Sequence, residues 1–411
     1  MPILNTKMSH QSGVPLGGIG TGTVEIRPDG AFHEWQIFNI GKWAPYQPEG
    51  LNCEGPNLSP DALAFYLRVK TSDGTVLMRR LNVRNEEHNL YHYSWLMSVE
   101  EIVFNGAYPV ATLNYIDDDL PITLEAIAFS PFIPHDSKAS GIPGFYFVFW
   151  AVNKTDKPVE VSILAMMKNP VASGAENRKI KNEIIEDGAV TYLLYNSSVD
   201  ENDGCRPTQG SMSLSVAGGV VSYISGEFPQ YYTGYGTMRW GGFDSQYGMS
   251  FESMLYDFRE NGTLRNANPT HAPFNFADLT NEKIDNLSDI EVEELFNDIL
   301  QYSFAMDVKD RIEKIDSDIL TAISGKRQFI REMRDRVRFM SNQDEKCNQW
   351  GDGALCSSFT LAGKEEKEIR FTCSWYFPYH FSVKKNVLGH MYENWFSDAL
   401  SVNKYLSEHY A

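Results

Sequence analysis

Acid–base hydrolysis needs two carboxyl groups, one to donate a proton and one to attack or to activate water. The chain offers candidates in two places. Glu25, Asp29 and Glu34 flank a glycine-rich stretch near the start, and Asp117, Asp118 and Asp119 form an acidic run before Pro121. The acidic run reads as a solvated turn, because turn Asp residues hydrogen-bond their own backbone. Glu34 stands between His33 and Trp35. One carboxylate beside an aromatic does not make a pair, so no catalytic residue is assigned.

Other chemistries fail on spacing. His33-Glu34-Trp35 lacks the second His of H-E-x-x-H, and no G-x-S-x-G nucleophile elbow is present. His88 and His92 stand four apart, a metal spacing only on a helix, and Asn89-Leu90-Tyr91 between them is not clearly helical. The five cysteines, Cys53, Cys205, Cys347, Cys356 and Cys373, form no C-x-x-C and read as reduced, buried thiols. No metal and no cofactor are expected.

The stretch that must position Glu25 to Trp35 is GVPLGGIGTGTVEIRPDGAFHEWQIFN, Gly13 to Asn39. Its glycines do not fit a dinucleotide fingerprint: Gly18, Gly20 and Gly22 have the wrong spacing, and a β-like segment follows them. A phosphate loop is excluded because no Lys lies in the window. Thr23-Val24-Glu25-Ile26 alternates, Pro28-Asp29-Gly30 signals a turn, and Phe32, Trp35 and Phe38 follow. The reading is strand, tight turn, strand, with glycines that allow close packing at Gly17 to Gly22.

At 411 residues the chain can bury a large core. The net charge of −18 argues against nucleic acid or an anionic membrane as partner, since both need a basic footprint. No apolar run reaches the length of a membrane span, and the first residues lack a secretory pattern. A cytoplasmic location is the expectation.

Strands dominate the pattern. Ala64 to Val69, Val76 to Met78, Ile102 to Phe104 and Tyr108 to Leu113 recur with turn residues between them, and Asn105-Gly106 is a hairpin signal. Phe145 to Trp150 is apolar on both faces and suits a central strand buried between two sheets. A polar turn at Asn153 to Lys157 then leads to Val159 to Ile163 as its partner strand. Alternation continues at Val190 to Tyr195 and Ser211 to Val216, and an aromatic, glycine-rich loop at 226–248 offers planes for stacking on sugar rings or, the favoured reading, packs on its own aromatics. At about 279–346 the period becomes helical, through Ile290, Val292, Leu295 and Phe296, then Ile312 to Ile323, then Ile330 and Met333. Ser288 is placed to cap a helix with Glu291 as reciprocal partner. The strand pattern resumes at Gly353.

Three patches carry a resemblance. P-L-G-G-I-G-T-G…E-I-R-P-D-G…W-Q-I-F-N closely resembles the opening segment of glycoside hydrolase family 116, which contains bile-acid-type β-glucosidases, that is, non-lysosomal glucosylceramidases. The segment 119–170 and the run from Ala354 to Pro378 are similar to the same family, and Tyr392 to Ala399 is similar to its linker helix. The resemblance implies a mainly β fold: a large two-sheet β-sandwich (supersandwich) over 1–385, with a helical insertion at about 279–346 and a linker helix over 386–411. In the family that helix leads into an (α/α)6 catalytic barrel holding a Glu nucleophile and an Asp acid/base. The sequence ends at Ala411 without residues that match them, so the chain alone is expected to be inactive. The partners implied are the catalytic (α/α)6 domain or chain and a β-glucoside or glucosylceramide-like glycan. His33, Glu34 and Trp35, on the segment that lies toward the barrel in the family, are the substrate-facing candidates. The alternatives are a freestanding carbohydrate-binding sandwich or an assembly subunit of a separately encoded catalytic chain.

Overall fold

The computed structural model describes residues 4–5, 12–39, 62–83, 96–172, 179–199, 206–225, 255, 258–264, 280–302, 322–341, 351–381 and 386–410. β1 (Leu4–Asn5), β2 (Val14–Leu16), β3 (Thr23–Ile26) and β4 (Phe32–Gln36) come first. β5 (Leu63–Thr71), β6 (Val76–Arg80) and β7 (Met97–Ser98) follow. A meander then runs through β8 (Glu101–Ala107), β9 (Val110–Ile116), β10 (Ile122–Phe129) and β11 (Gly144–Asn153). Next are β12 (Val159–Asn169), β13 (Lys179–Asp187), β14 (Val190–Ser198), β15 (Ser211–Ala217) and β16 (Val220–Ile224). Helices α1 (Asn281–Asn286), α2 (Asp289–Tyr302) and α3 (Ile323–Ser341) separate these from β17 (Gly351–Leu361), β18 (Glu366–Tyr376) and α4 (Ala399–Glu408).

The fold is mainly β. One sheet has nine strands in the order β1-β8-β9-β10-β11-β18-β15-β14-β13, and a second has six, β16-β17-β12-β5-β6-β7. Their facing sides share one core. Phe65 of β5 stacks on Phe147 of β11 with ring centroids 4.9 Å apart and meets Phe371 of β18 edge-on at 5.2 Å. Offset and edge-on contacts of this kind suit the aromatic quadrupole. The opening stretch forms a third sheet, β2-β3-β4, whose Phe32 reaches Phe145 and Phe147 in the same core.

β11 is buried on both faces, but the second cover is not a sheet. Phe145, Phe147 and Phe149 face the sandwich core, whereas Tyr146 and Val148 pack against Tyr392, Phe396, Val402 and Leu406 of the C-terminal segment. The expectation of two flanking sheets is therefore corrected: α4 supplies the outer layer. Polar side chains fix its register. Buried Asn403 donates to the Ser213 and Thr372 carbonyls at 3.2 and 3.1 Å and accepts from Ser215 Oγ at 2.7 Å. Ser211 Oγ accepts from Ala399 N, Ser374 Oγ donates to the Ala399 carbonyl, and Tyr146 donates to the Leu406 carbonyl. Asp398 caps the helix by accepting from Ser401 N at 2.7 Å.

Three other local readings change. Asn105-Gly106 does not turn: both residues stay in β8, and the chain reverses at Tyr108-Pro109, with Ala107 opposite Val110. Gly106 is needed for space, since a Cβ there would meet the Phe104 ring at 2.8 Å. The Asn153–Lys157 turn joins two sheets rather than two partners. β11 pairs with β10 and β18, whereas β12 pairs with β5 and β17. Asn153 Nδ2 holds this crossing through the Lys157, Leu361 and Ala362 carbonyls. The acidic run is only partly solvated, because Asp117 is buried and takes Arg79 Nε at 2.6 Å and Nη2 at 3.3 Å.

A second compact unit, residues 227–258 and 267–348, contains α1, α2 and α3. Phe296 of α2 meets Phe329 of α3 at 5.5 Å, and Lys326 pairs with Glu293. The reciprocal cap is present, with Ser288 N donating to Glu291 Oε2 and Glu291 N to Ser288 Oγ. Ile290 departs from the expected apolar face and is exposed, while Val292, Leu295 and Phe296 are buried. The 226–248 loop, His88, His92, Ile312, Cys53, Cys205 and Cys347 lie outside the described residues; Cys356 and Cys373 are free, buried thiols.

Replacing Asn403 with Leu takes the Asn403 partner from the buried Ser215 Oγ and Ser213 Oγ beneath α4. The expected cost is about 2–6 kcal/mol, at about 1–3 kcal/mol for each of the two buried groups left unsatisfied. It is read as a lower urea midpoint with an unchanged slope.

Candidate functional site

The opening stretch folds as strand, turn and strand, with one irregularity at the candidate residues. In β3 and β4, Thr23 pairs with Gln36 and Glu25 with His33, so Glu34 and Trp35 together oppose Val24. The extra residue makes a β-bulge. Phe32 and Trp35 are three apart and would face opposite sides of a regular strand. The bulge turns both into the core, where their rings lie 6.3 Å apart and Trp35 Nε1 donates to the Phe32 carbonyl. Glu34 takes up the change of direction at φ +49°, a left-handed conformation that costs a non-glycine residue about 1 kcal/mol or more.

The three candidates thus end in different settings. Trp35 is buried, His33 is partly exposed, and Glu34 is exposed. His33 Nε2 lies 2.8 Å from Asp29 Oδ2. Arg27 Nη2 lies 2.6 Å from Glu25 Oε2 and 3.4 Å from Glu34 Oε1, and Glu25 Oε1 also accepts from Gly13 N. Glu25 and Glu34 therefore approach one another, as an acid and a nucleophile must, yet the guanidinium fills the space between them where a reacting carbon would sit. Among the described residues no group of three or more His, Cys, Asp or Glu is arranged to hold a metal ion.

The glycines close the rim of the sandwich beside this sheet. Trp375 at the end of β18 donates its indole N–H to the Thr21 carbonyl at 2.7 Å. A Cβ on Gly17, whose φ is +121°, would meet the Trp375 ring at 2.9 Å, so only glycine lets the indole lie there. Gly17 N donates to Ser130 Oγ, and Ile19 N to the Ser140 carbonyl.

A polar cluster that the sequence did not reveal completes the rim. Asn39 donates to the Phe377 carbonyl at 2.8 Å, and its Oδ1 lies 2.7 Å from His390 Nε2. The His390 ring stacks on Tyr392 at 4.9 Å and has His380 5.2 Å away. Burial, and then the neighbouring His380, pull His390 down to about 4, partly offset by a Gly20 backbone hydrogen bond. No local pattern could have paired Asn39 with His390 across 351 positions; the one available hint was Glu393 three residues after His390, a capping spacing.

Fold and rim define a large antiparallel β-sandwich domain closed by a glycine-rich opening stretch. The chain belongs to the N-terminal domain family of glycosyl-hydrolase family 116: the family model described as beta-glucosidase 2, glycosyl-hydrolase family 116 N-term, matches residues 13–278. The match begins at the first glycine of the stretch and ends just before α1.

Glu34→Gly relieves the left-handed backbone and gives up one long, exposed ion pair worth little. A gain of up to about 1 kcal/mol in denaturant stability is expected. Because His390 titrates lower in the folded chain than in the unfolded one, the unfolded state binds more protons as pH falls. Stability is full above about pH 6.5 and declines as pH drops toward about 4. Thermal midpoints of His390→Gln measured across that window should fall less steeply than those of the wild type.

Proposed function

We propose that this chain is the non-catalytic β-sandwich half of a family 116 type β-glucosidase or glucosylceramidase. In the complete enzyme an (α/α)6 catalytic domain or chain hydrolyses β-glucosides by the retaining mechanism, and the sandwich braces it. Residues 1–385, with the helical insertion at about 279–346, form the brace, and 386–411 form the linker toward the barrel. His33 and Glu34 face the catalytic partner and its β-glucoside or glucosylceramide-like glycan, while Trp35 anchors them from the core.

The observation that carries this reading is that the family match opens on a stretch whose carboxylates are committed to local partners. Glu25 and Glu34 share Arg27, and Asp29 holds His33. Such groups orient a rim; a retaining pair needs two carboxyl groups about 5–5.5 Å apart with substrate between them.

The pure 411-residue chain should not release aryl product from an aryl β-glucoside above the buffer rate. Turnover that disappears in Glu25→Gln or Glu34→Gln would overturn the proposal. Calorimetric titration with β-glucosides and glucans should give no heat of binding in the millimolar range. Millimolar or tighter binding would favour a freestanding carbohydrate-binding sandwich.

A further inference from the structure

Arg68 is 1% exposed, and its ion-pair partner Glu160, half of it in solvent, stands 3.8 Å away. A buried charge is costly unless it is paired, and here backbone meets it more closely. Arg68 Nε donates to the Arg259 carbonyl at 2.5 Å and Nη2 to the Glu260 carbonyl at 3.0 Å. Residues 258–261 are helical, and Gly262 follows at φ +70°. Arg68 therefore caps the C-terminal end of a helix, where free carbonyls gather partial negative charge. The rest of the seat is polar too. Arg68, Ser162 and Ser358 stand opposite one another on β5, β12 and β17, and Ser222 of β16 is opposite Cys356. They alternate with Leu67, Ile163 and Phe359 of the sandwich core, so they face outward. Ser358 Oγ donates to the Gly262 carbonyl at 2.5 Å, and Cys356 Sγ reaches the same carbonyl at 3.6 Å. Leu264 N donates to Ser222 Oγ at 2.8 Å. A Cβ on Gly262 would lie 2.7 Å from Arg68 Nη1, so glycine lets the segment come this close.

Between Arg259 and Leu264 the only buried apolar side chain is Leu264. Directional bonds to the backbone hold this segment, whereas α4 is held by Val402 and Leu406 as well. Residues 259–266 belong to the sandwich unit, while 227–258 and 267–348 belong to the second unit. The chain therefore passes between the units at four points, and lifting the segment leaves only the joins after Gly226 and before Gln349. We propose that Arg259–Leu264 is a strap clipped by Arg68, and that it lifts and reseats while both sheets stay intact. Lifting it lengthens the tether of the helical insertion and bares the Cys356 thiol, which is otherwise fully buried. Such a local opening exposes little apolar surface, so it depends only weakly on urea.

The test follows alkylation of Cys356 and Cys373 in the full chain with N-ethylmaleimide, each thiol resolved by peptide mass spectrometry. Cys373 lies in the core and reports opening of the sandwich. Cys356 should react faster than Cys373, and its rate should rise far less steeply with urea. Asn403→Leu, which loosens α4 and touches nothing in the strap, should speed Cys373 and leave Cys356 unchanged. Arg68→Met should speed Cys356 about tenfold or more, as expected for the loss of charge-assisted bonds to buried carbonyls. Ser222→Ala, a milder change, should act in the same direction and stands in where Arg68→Met does not fold. Equal urea slopes for the two thiols, or an Asn403→Leu effect that is the same on both, would mean that the strap opens only with the sandwich and would overturn the proposal. A Cys356 rate that neither clip variant changes would overturn it as well.

Discussion

β18 is hydrogen-bonded on both sides, to β11 through nine paired positions and to β15 through seven. It alone joins the meander β8 to β11 with the meander β13 to β15; without it the nine-stranded sheet is two fragments with bare edges. β17 has the same role in the other sheet, between β16 and β12. An unpaired, buried backbone group costs as much as a lost hydrogen bond, so closing the sandwich over either gap would leave a row of such groups unpaired. The aromatic core depends on the same strand, because Phe371 meets both Phe65 and Phe149.

Two further attachments depend on β18. Its outer face, with that of β15, carries the polar seat of α4: Thr372 and Ser374 from one strand, Ser211, Ser213 and Ser215 from the other. Buried serine hydroxyls on the outer face of a central strand are costly unless something satisfies them, and Asn403 and the Ala399 backbone do so for Ser211, Ser213, Ser215 and Ser374, whereas the Thr372 hydroxyl is buried without a partner. At its end, Trp375 reaches the Thr21 carbonyl and fixes the glycine stretch at the rim. Inner core, outer helix and rim thus meet on eleven consecutive residues, Glu366–Tyr376.

Most strands were legible because alternation is a local property: Ala64 to Val69, Val190 to Tyr195 and Ser211 to Val216 lie within β5, β14 and β15. The Ser288–Glu291 cap was equally legible, since its partners are three residues apart. What escaped was relational. The Asn153–Lys157 turn has the same residue types whether it reverses within a sheet or crosses between sheets. The acidity of Asp117 said nothing of Arg79, 38 positions earlier. At the candidate site His33, Glu34 and Trp35 were picked out together, but the bulge that sends Trp35 inward and leaves Glu34 outside depends on a φ angle that no residue type states. The glycines gave a clear local signal of close packing, but the reason for Gly17, the Trp375 indole, lies about 350 residues away.

The late position of β17 and β18 in the chain constrains synthesis on the ribosome. Roughly 150 residues separate the end of β15 from the start of β18, so at roughly 5–20 residues per second the edges of β11 and β15 wait on the order of ten seconds for their shared neighbour. During that wait, strand edges flanked by Phe145, Phe147 and Leu214 are templates for pairing with other nascent chains. The helical segment between β16 and β17 sets the length of this delay. Its size therefore lengthens the interval in which those edges stand unpaired.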